Sequence, residues 1–522
     1  MGLPEILIIG SGANGLAAAF YLAKAGLRPI VLEARAAVGG GAITEEIHPG
    51  FHCPTLSHEV LLHAQVRRDM ALDRHGLTLV APDARVCALP VDGPPLVLHD
   101  DPARSAASIA KSHGSDGQAY ERYTQAVAQV AGVLSALLEQ APPDLDAARA
   151  GDVWQMLGTL RRFRALGQRD RYRLLRWVPM PIADLMDEWF GADLLRAAVA
   201  AAGVSGTMLG PRSAGSSLVM LLRESHRLLA GGSALRVRGG PGSLTAAMAA
   251  AARAAGAEIR LSTPVERIVV RHERVAGVVA GGRELPARVV LSAADPRTTF
   301  LRLIDPMDLT PDFALKMRNY RASGIVAKVN LALAALPAFR GITGAAALSG
   351  RIHIGPGLDY LERAFDHAKY GEMSAAPWLD ITIPSIADPS MAPAGGHVAS
   401  IYVHVAPYRL REGWTAAARE ALLRTTMAVL ETYAPGIGAL VLRSQVLSPA
   451  DLEQEYGFAG GHIFHGELAA DQLFTMRPLL GYGRYASPIP GLYLCGGGTH
   501  PGGFLTGASG RLAAARIVAG AK

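Results

Sequence analysis

Cysteine is scarce in this 522-residue chain, and Cys53, Cys87 and Cys495 stand far apart. That spacing excludes a disulfide framework and the close redox pair that a disulfide reductase needs, and it favours a reducing, cytoplasmic location. Long apolar runs are missing too. Lys328 interrupts GIVAKVNLALAALPAF and Arg253 interrupts the alanine-rich stretch before it, so no run reaches the roughly 18 residues of a spanning helix. No basic n-region or cleavage site precedes the first apolar segment, and no signal peptide is expected. His48, His52, His58 and His63 crowd HPGFHCPTLSHEVLLH but match no zinc spacing, so no metal is expected. No nucleic-acid motif accompanies the net charge of +6, which leaves anionic ligands or a membrane surface to account for it.

What is present is rich in apolar residues, half the chain, with a mean hydropathy of +0.21. The length suggests roughly two to four domains. Glu5–Ile9 reads as a buried strand, followed at once by GSGANG and an alanine- and leucine-rich helix to Gly26. Arg28–Leu32 gives a second strand, closed by Glu33 about 20 residues beyond the glycines, where a dinucleotide fingerprint wants an acid. Gly10 permits the tight turn, Gly12 lets the backbone approach a pyrophosphate, and Gly15 packs helix on strand. Ala13 and Asn14 lie in the first helical turn, where unpaired N–H groups favour an anion. Glu33 has the acceptors for a ribose diol. A second glycine turn, Gly39-Gly40-Gly41, follows Ala34 and Arg35 and precedes Ala42; it would bring the chain back to the same pyrophosphate.

This double glycine arrangement resembles the two-dinucleotide-binding-domain flavoproteins, amine oxidases and carotenoid desaturases among them, and implies FAD. The resemblance extends to GGHIFHGELAADQLF, to RPLLGYGRYASPIPGLYLCGGGTHPGGFLTGASGRLAAARI and, in mid-chain, to RVVLSAADPRTTFLRLI and KVNLALAALPAF. Together these are similar to the phytoene desaturase-related oxidoreductases, in the branch named for pyridine nucleotide-disulphide oxidoreductase domain-containing protein 2. The cysteine spacing speaks against the disulfide chemistry of that branch name, and no second strand-glycine-helix unit offers a nicotinamide site.

The resemblance implies an α/β fold: a Rossmann-like FAD-binding domain from residues 1–75, 236–300 and 470–522, with an inserted α+β substrate domain from 76–235 and 301–469. The first insert is expected to be helical and the second strand-rich. It also implies that a backbone group at Val265 meets the adenine and that the C-terminal glycines return to the flavin. Gly491–Cys495 then forms a strand, Gly497 and Gly498 approach the ribityl chain, and a helix beginning near Thr506 or Gly507 aims its N–H groups at the ring. His500 is the expected polar group at the ring, while His462 and His465 are further proton-shuttle candidates.

The implied activity is hydride removal from an apolar polyene, isoprenoid or other lipid-like substrate, with oxygen or a quinone accepting the electrons. Amine oxidation and flavin-dependent isomerisation stay open. So does a role of another class, a flavin-bearing membrane-associated binding protein. Arg161, Arg162, Arg164, Arg169, Arg171, Arg173 and Arg176, opposed only by Asp170, lead into WVPMPIADLMDEWF. A basic stretch beside an aromatic one suits a peripheral helix on an anionic bilayer; a solvated face leading into a core helix is the competing reading.

Overall fold

The computed structural model describes residues 6–144, 150–233 and 235–521. Ile6–Ile9 is the centre of a five-stranded, all-parallel sheet ordered Leu492–Leu494, Val289–Ser292, Ile6–Ile9, Pro29–Leu32, Glu258–Arg260. Glu5, expected to begin the central strand, lies outside the described residues. A parallel sheet is covered on both faces, which explains strands without polar alternation. Ile6 and Ile8 pack on the helices Ala13–Lys24, Pro241–Ala254 and Ala508–Ala521. Leu7 and Ile9 turn to the other face, against Ile268, Val275 and Val278 of a three-stranded antiparallel sheet and against Phe300 and Phe313. The first and last helices close on each other through Gly510, where any added Cβ would overlap the Asn14 carbonyl.

The chain leaves and rejoins this region through paired short strands, Leu79–Val80 and Arg236–Val237. The intervening segments build a seven-stranded mixed sheet: Val441–Leu447, Val326–Leu333, His397–His404, Trp378–Thr382, Arg351–Ile354, Val86–Leu89, Leu96–Leu98. The first insert is therefore not purely helical: its strand Val86–Leu89 pairs with Arg351–Ile354 of the second insert, and Leu96–Leu98 pairs with Val86–Leu89. Side chains alternate across this sheet. Ala327, Val329, Leu331, Leu379, Ile381, Ile401 and Val403 share an apolar core with Leu422 and Leu430 of the helix Ala416–Tyr433. Their neighbours Lys328, Asn330, Asp380, Ser400 and Tyr402 occupy the opposite face, with Lys328 across from Tyr402 and Asn330 across from Ser400.

In the helical layer the aromatic segment turns inward. Trp177, Ile182, Leu185, Met186 and Phe190 are buried in one core, so this stretch does not lie on the surface as the membrane expectation required. Its arginines also have partners beyond the one anticipated. Arg173 pairs with Asp170 at 2.7 Å and stands over the rings of Trp177 and Trp189, and Arg176 pairs with Glu188. Exposed apolar residues lie on the preceding helix, at Val153, Trp154, Met156 and Leu157, and on Gln168–Trp177 at Tyr172 and Leu175. Among the described residues no helix is long and apolar enough to cross a membrane.

Candidate functional site

The glycine turn after Ile6–Ile9 forms one wall of a cavity of about 470 Å3. Gly10 adopts φ +93°, and its carbonyl lies against Gly15 so closely that any Cβ there would overlap it. The second turn stacks on the first: Gly39 bridges to Gly12 and donates to the Ser11 carbonyl at 3.2 Å. Gly40 comes so near that a Cβ on it would fall 2.9 Å from the Gly12 Cα. Only backbone can occupy this junction. Ala13, Asn14 and Gly15 present the first turn of the Ala13–Lys24 helix to the cavity, and that turn has no acidic side chain. Glu33 is almost fully buried; it accepts from the Ser11 N–H at 2.8 Å, the Ser11 hydroxyl at 2.6 Å and the Arg35 N–H at 3.0 Å.

Of the residues expected at the cofactor, Gly10, Gly12, Ala13, Asn14, Gly15, Glu33, Ala34, Arg35, Gly40, Gly41, Val265 and Gly497 line this single cavity. Gly39 and Ala42 stand behind the second turn, where Ala42 accepts from the Thr245 hydroxyl at 3.0 Å. Gly498 packs on Pro296. The C-terminal helix begins at Ala508, so Thr506 and Gly507 sit one step behind the wall, which is made by Gly503, Phe504 and Leu505. Thr506 instead caps that helix, accepting from the Ala508 N–H at 3.2 Å.

His500 is a correction. The turn after Gly498 carries it away from the cavity, with Nε2 3.2 Å from the Leu137 carbonyl and its ring edge-on to Phe474. Burial lowers its pKa to about 4, which keeps it neutral as a packing group. The histidine at the cavity is His465, whose Nδ1 is buried without a partner among the described residues and whose pKa is also lowered by burial. Arg477 fixes this wall. Fully buried, it donates to the carbonyls of Phe464, Gly466, Glu467, Gln472 and Gly497.

The second sheet reaches the same cavity through a residue that no motif carries. Tyr402 from the second sheet lines the cavity with Leu56, Arg223, Phe458, Ile463, Phe464 and Phe504. The His58 ring stacks on Tyr402 at 3.9 Å, and His58 Nε2 is 2.7 Å from Lys328 Nζ. Lys328 also donates to Ser400 and stands 4.6 Å from the Tyr402 ring centre. Burial without a counter-charge lowers the Lys328 pKa to about 7 and holds His58 well below its usual range, further depressed by Lys328. The other histidines of that stretch are dispersed; His63, for instance, caps the helix Ala64–Asp69, accepting from the Gln65 N–H. Burial pushes the thiols of Cys53 and Cys87 up to about 12, and that of Cys495 upward too.

Unpaired polar atoms show what the cavity takes. Asn14 Oδ1, Arg35 Nη1, Thr298 Oγ1 and His465 Nδ1 are all buried and without a partner among the described residues, and all four residues line it. Buried polar groups are normally paired, so these mark where a polar ligand belongs. A backbone cradle at a helix N-terminus, a cationic side chain and an apolar aromatic end fit the pyrophosphate and ring of FAD.

Comparison with known proteins supports the cofactor. Residues 183–518 match the family of flavin containing amine oxidoreductases, and residues 8–69 match an NAD(P)-binding Rossmann-like domain. The chain is 35% identical to pyridine nucleotide-disulfide oxidoreductase domain-containing protein 2 of Rattus norvegicus, over 98% of this chain and 92% of that one. It is 28% identical to the neurosporene-forming phytoene desaturase of Rhodobacter capsulatus, over 51% of this chain and 49% of the desaturase. A triple mutant of putrescine oxidase has the same fold, with a TM-score of 0.61, 16% identity, and coverage of 99% of this chain and 98% of the oxidase.

Proposed function

The chain belongs to the flavin containing amine oxidoreductase family and is an FAD-dependent oxidoreductase, and from that premise we propose that it oxidises a carbon–carbon or similar bond of an apolar, lipid-like molecule. The observation that supports this reading is the charge beside the aromatic wall. Lys328 is bonded to His58 and Ser400 and has no carboxylate partner among the described residues, whereas Glu59, the acid on that side, is held by Arg223 at 2.6 Å. The remaining acid of the lining, Glu455, has its pKa raised by burial and by neighbouring carboxylates, and at the aromatic wall an apolar chain would meet Leu56, Ile463, Phe464 and Phe504.

FAD, when bound, supplies the hydride acceptor, with oxygen or a quinone as the proposed electron sink. The protein's own contributions are positional. The N–H groups at Ala13–Gly15 and the Arg35 guanidinium hold the pyrophosphate, Glu33 accepts from a ribose, and the Val265 backbone meets the adenine. The aromatic wall excludes water. His465, neutral at pH 7 with Nδ1 open, takes a proton from the substrate carbon, and Arg477 fixes the loop that carries it. The test is anaerobic titration of the FAD-loaded protein with isoprenoid polyenes and with amines. Bleaching of the flavin absorbance by polyenes alone supports the proposal; bleaching by amines alone overturns it.

We also infer contact with an anionic bilayer through the Ala150–Ala165 helix, where exposed Trp154, Met156 and Leu157 stand beside Arg161, Arg162 and Arg164. Sedimentation with phosphatidylserine vesicles, and none with neutral ones, is the expected result.

A further inference from the structure

Behind Tyr402 lies a second cavity of about 110 Å3, whose walls include Glu59, Ser205, Arg223 and Tyr402 of the first. Its lining differs from the aromatic wall next door: five arginines against three carboxylates. Four of the arginines are matched. Arg223 pairs with Glu59 at 2.6 Å and Arg351 with Asp380 at 2.8 Å, while Arg85 and Arg227 share Glu224 at 2.5 and 2.7 Å. Arg236 is the exception. Its Nε donates to the Ser349 carbonyl at 3.1 Å, and no carboxylate pairs with it among the described residues. Lys328, one step away through His58, lacks a counter-charge as well.

The two cations differ in one respect. Lysine can shed its proton when buried, whereas arginine stays charged. Burial lowers the Arg236 pKa only to about 10, so the charge persists at neutral pH. A part-buried guanidinium with spare donors, in a pocket lined by five arginines and three carboxylates that shares wall residues with an apolar cavity, is the chemistry that recognises the acid end of an amphiphile.

We propose that the molecule oxidised at the flavin carries an anionic head, a carboxylate or a phosphate, which enters this second cavity between Ser205 and Tyr402 and pairs with Arg236. The proposal rests on the reading that an apolar chain occupies the first cavity, and it fixes which end of that molecule goes where. Arg223 and Glu59 form the threshold: their pairing, with Arg223 also 5.0 Å from the Phe504 ring, sets how wide the passage is.

The test is a binding titration of the FAD-loaded protein, read by the shift in its visible flavin spectrum, with decanoate, decyl phosphate and decanol as probes. At least one anionic probe should bind more than 10-fold tighter than decanol, and which one wins identifies the head as carboxylate or phosphate. Arg236→Gln should erase that preference, and Arg236→Lys should retain part of it. Glu59→Gln, which removes a competing carboxylate, should tighten anion binding several-fold, a gain that misfolding does not produce. Equal binding of decanol and both anions, or a preference that survives Arg236→Gln, overturns the proposal. Failure is separable from failure of the oxidoreductase reading: polyene bleaching without anion preference removes only the head-group site, and anion preference without polyene bleaching removes only the apolar-bond chemistry.

Discussion

The two large sheets serve the same cavity with different materials. The parallel sheet, apolar on both faces, delivers backbone: its strands end in turns where Gly10 holds a positive φ and Gly15 and Gly40 leave no room for side chains. The mixed sheet is apolar on one face only, and its other face delivers a polar stripe of Lys328, Asn330, Asp380, Ser400 and Tyr402. A cofactor common to many enzymes is suited by a geometric cradle that depends on shape. A substrate particular to one enzyme calls for side chains, which can change without disturbing the strands that carry them.

Breaking the backbone side should have the largest effect. Gly15→Ala puts a Cβ into the Gly10 carbonyl, and purified protein should emerge without flavin or bind added FAD more than 100-fold more weakly, as fluorescence quenching would show. Next comes the clasp between the two sides. Arg477→Met leaves five buried carbonyls without their donor; at about 1–3 kcal/mol for each that stays unsatisfied, urea unfolding should show a loss of at least about 3 kcal/mol. His465→Gln should slow anaerobic flavin reduction by about 100-fold with the fold intact, whereas His500→Gln should leave that rate within about 3-fold.

The side-chain wall gives a pH signature. Lys328 has a folded pKa near 7 against 10.5 unfolded, so between those values the unfolded state binds more protons and stability rises with pH. The burial penalty is complete below pH 7 and relieved as pH climbs toward 10.5. Lys328→Met should therefore be the more stable protein at pH 6, and its advantage over wild type should shrink by about 3 kcal/mol at pH 9, measured by urea midpoints. The smallest effect on the site should come from Trp154→Ser with Leu157→Ser: vesicle sedimentation falls while flavin reduction is unchanged.

The same division explains what could be read from the residue order. Strand, glycines, helix, strand and Glu33 are contiguous, and a backbone cradle leaves a local trace because only glycine satisfies it. Twelve of the residues expected at the cofactor line one cavity. The side-chain wall leaves no such trace. Lys328 meets His58 across 270 positions and Ser400 across 72, and a lone lysine in VAKVNLAL reads only as an interruption until the strand is seen to have a polar face. Lys328 and Asn330, two apart in an otherwise apolar run, were the available signal. His500 misled for a related reason: it neighbours the glycines in sequence, but a turn reverses its direction. The arginine pocket draws on residues 59, 85, 223, 227, 236 and 351, a set no spacing rule collects.

The order of the parallel sheet bears on how the molecule is made. Ile6–Ile9 lies between Pro29–Leu32 and Val289–Ser292, and the outer strand is Leu492–Leu494. A ribosome working at about 5–20 residues per second leaves the central strand with one bare edge for roughly 15–60 seconds before its second neighbour exists. Exposed strand edges invite pairing with other chains, and this edge stays open until Val289–Ser292 has been made. The nucleotide motif emerges about 280 residues before the strand Val289–Ser292 that completes the pairing of its own strand.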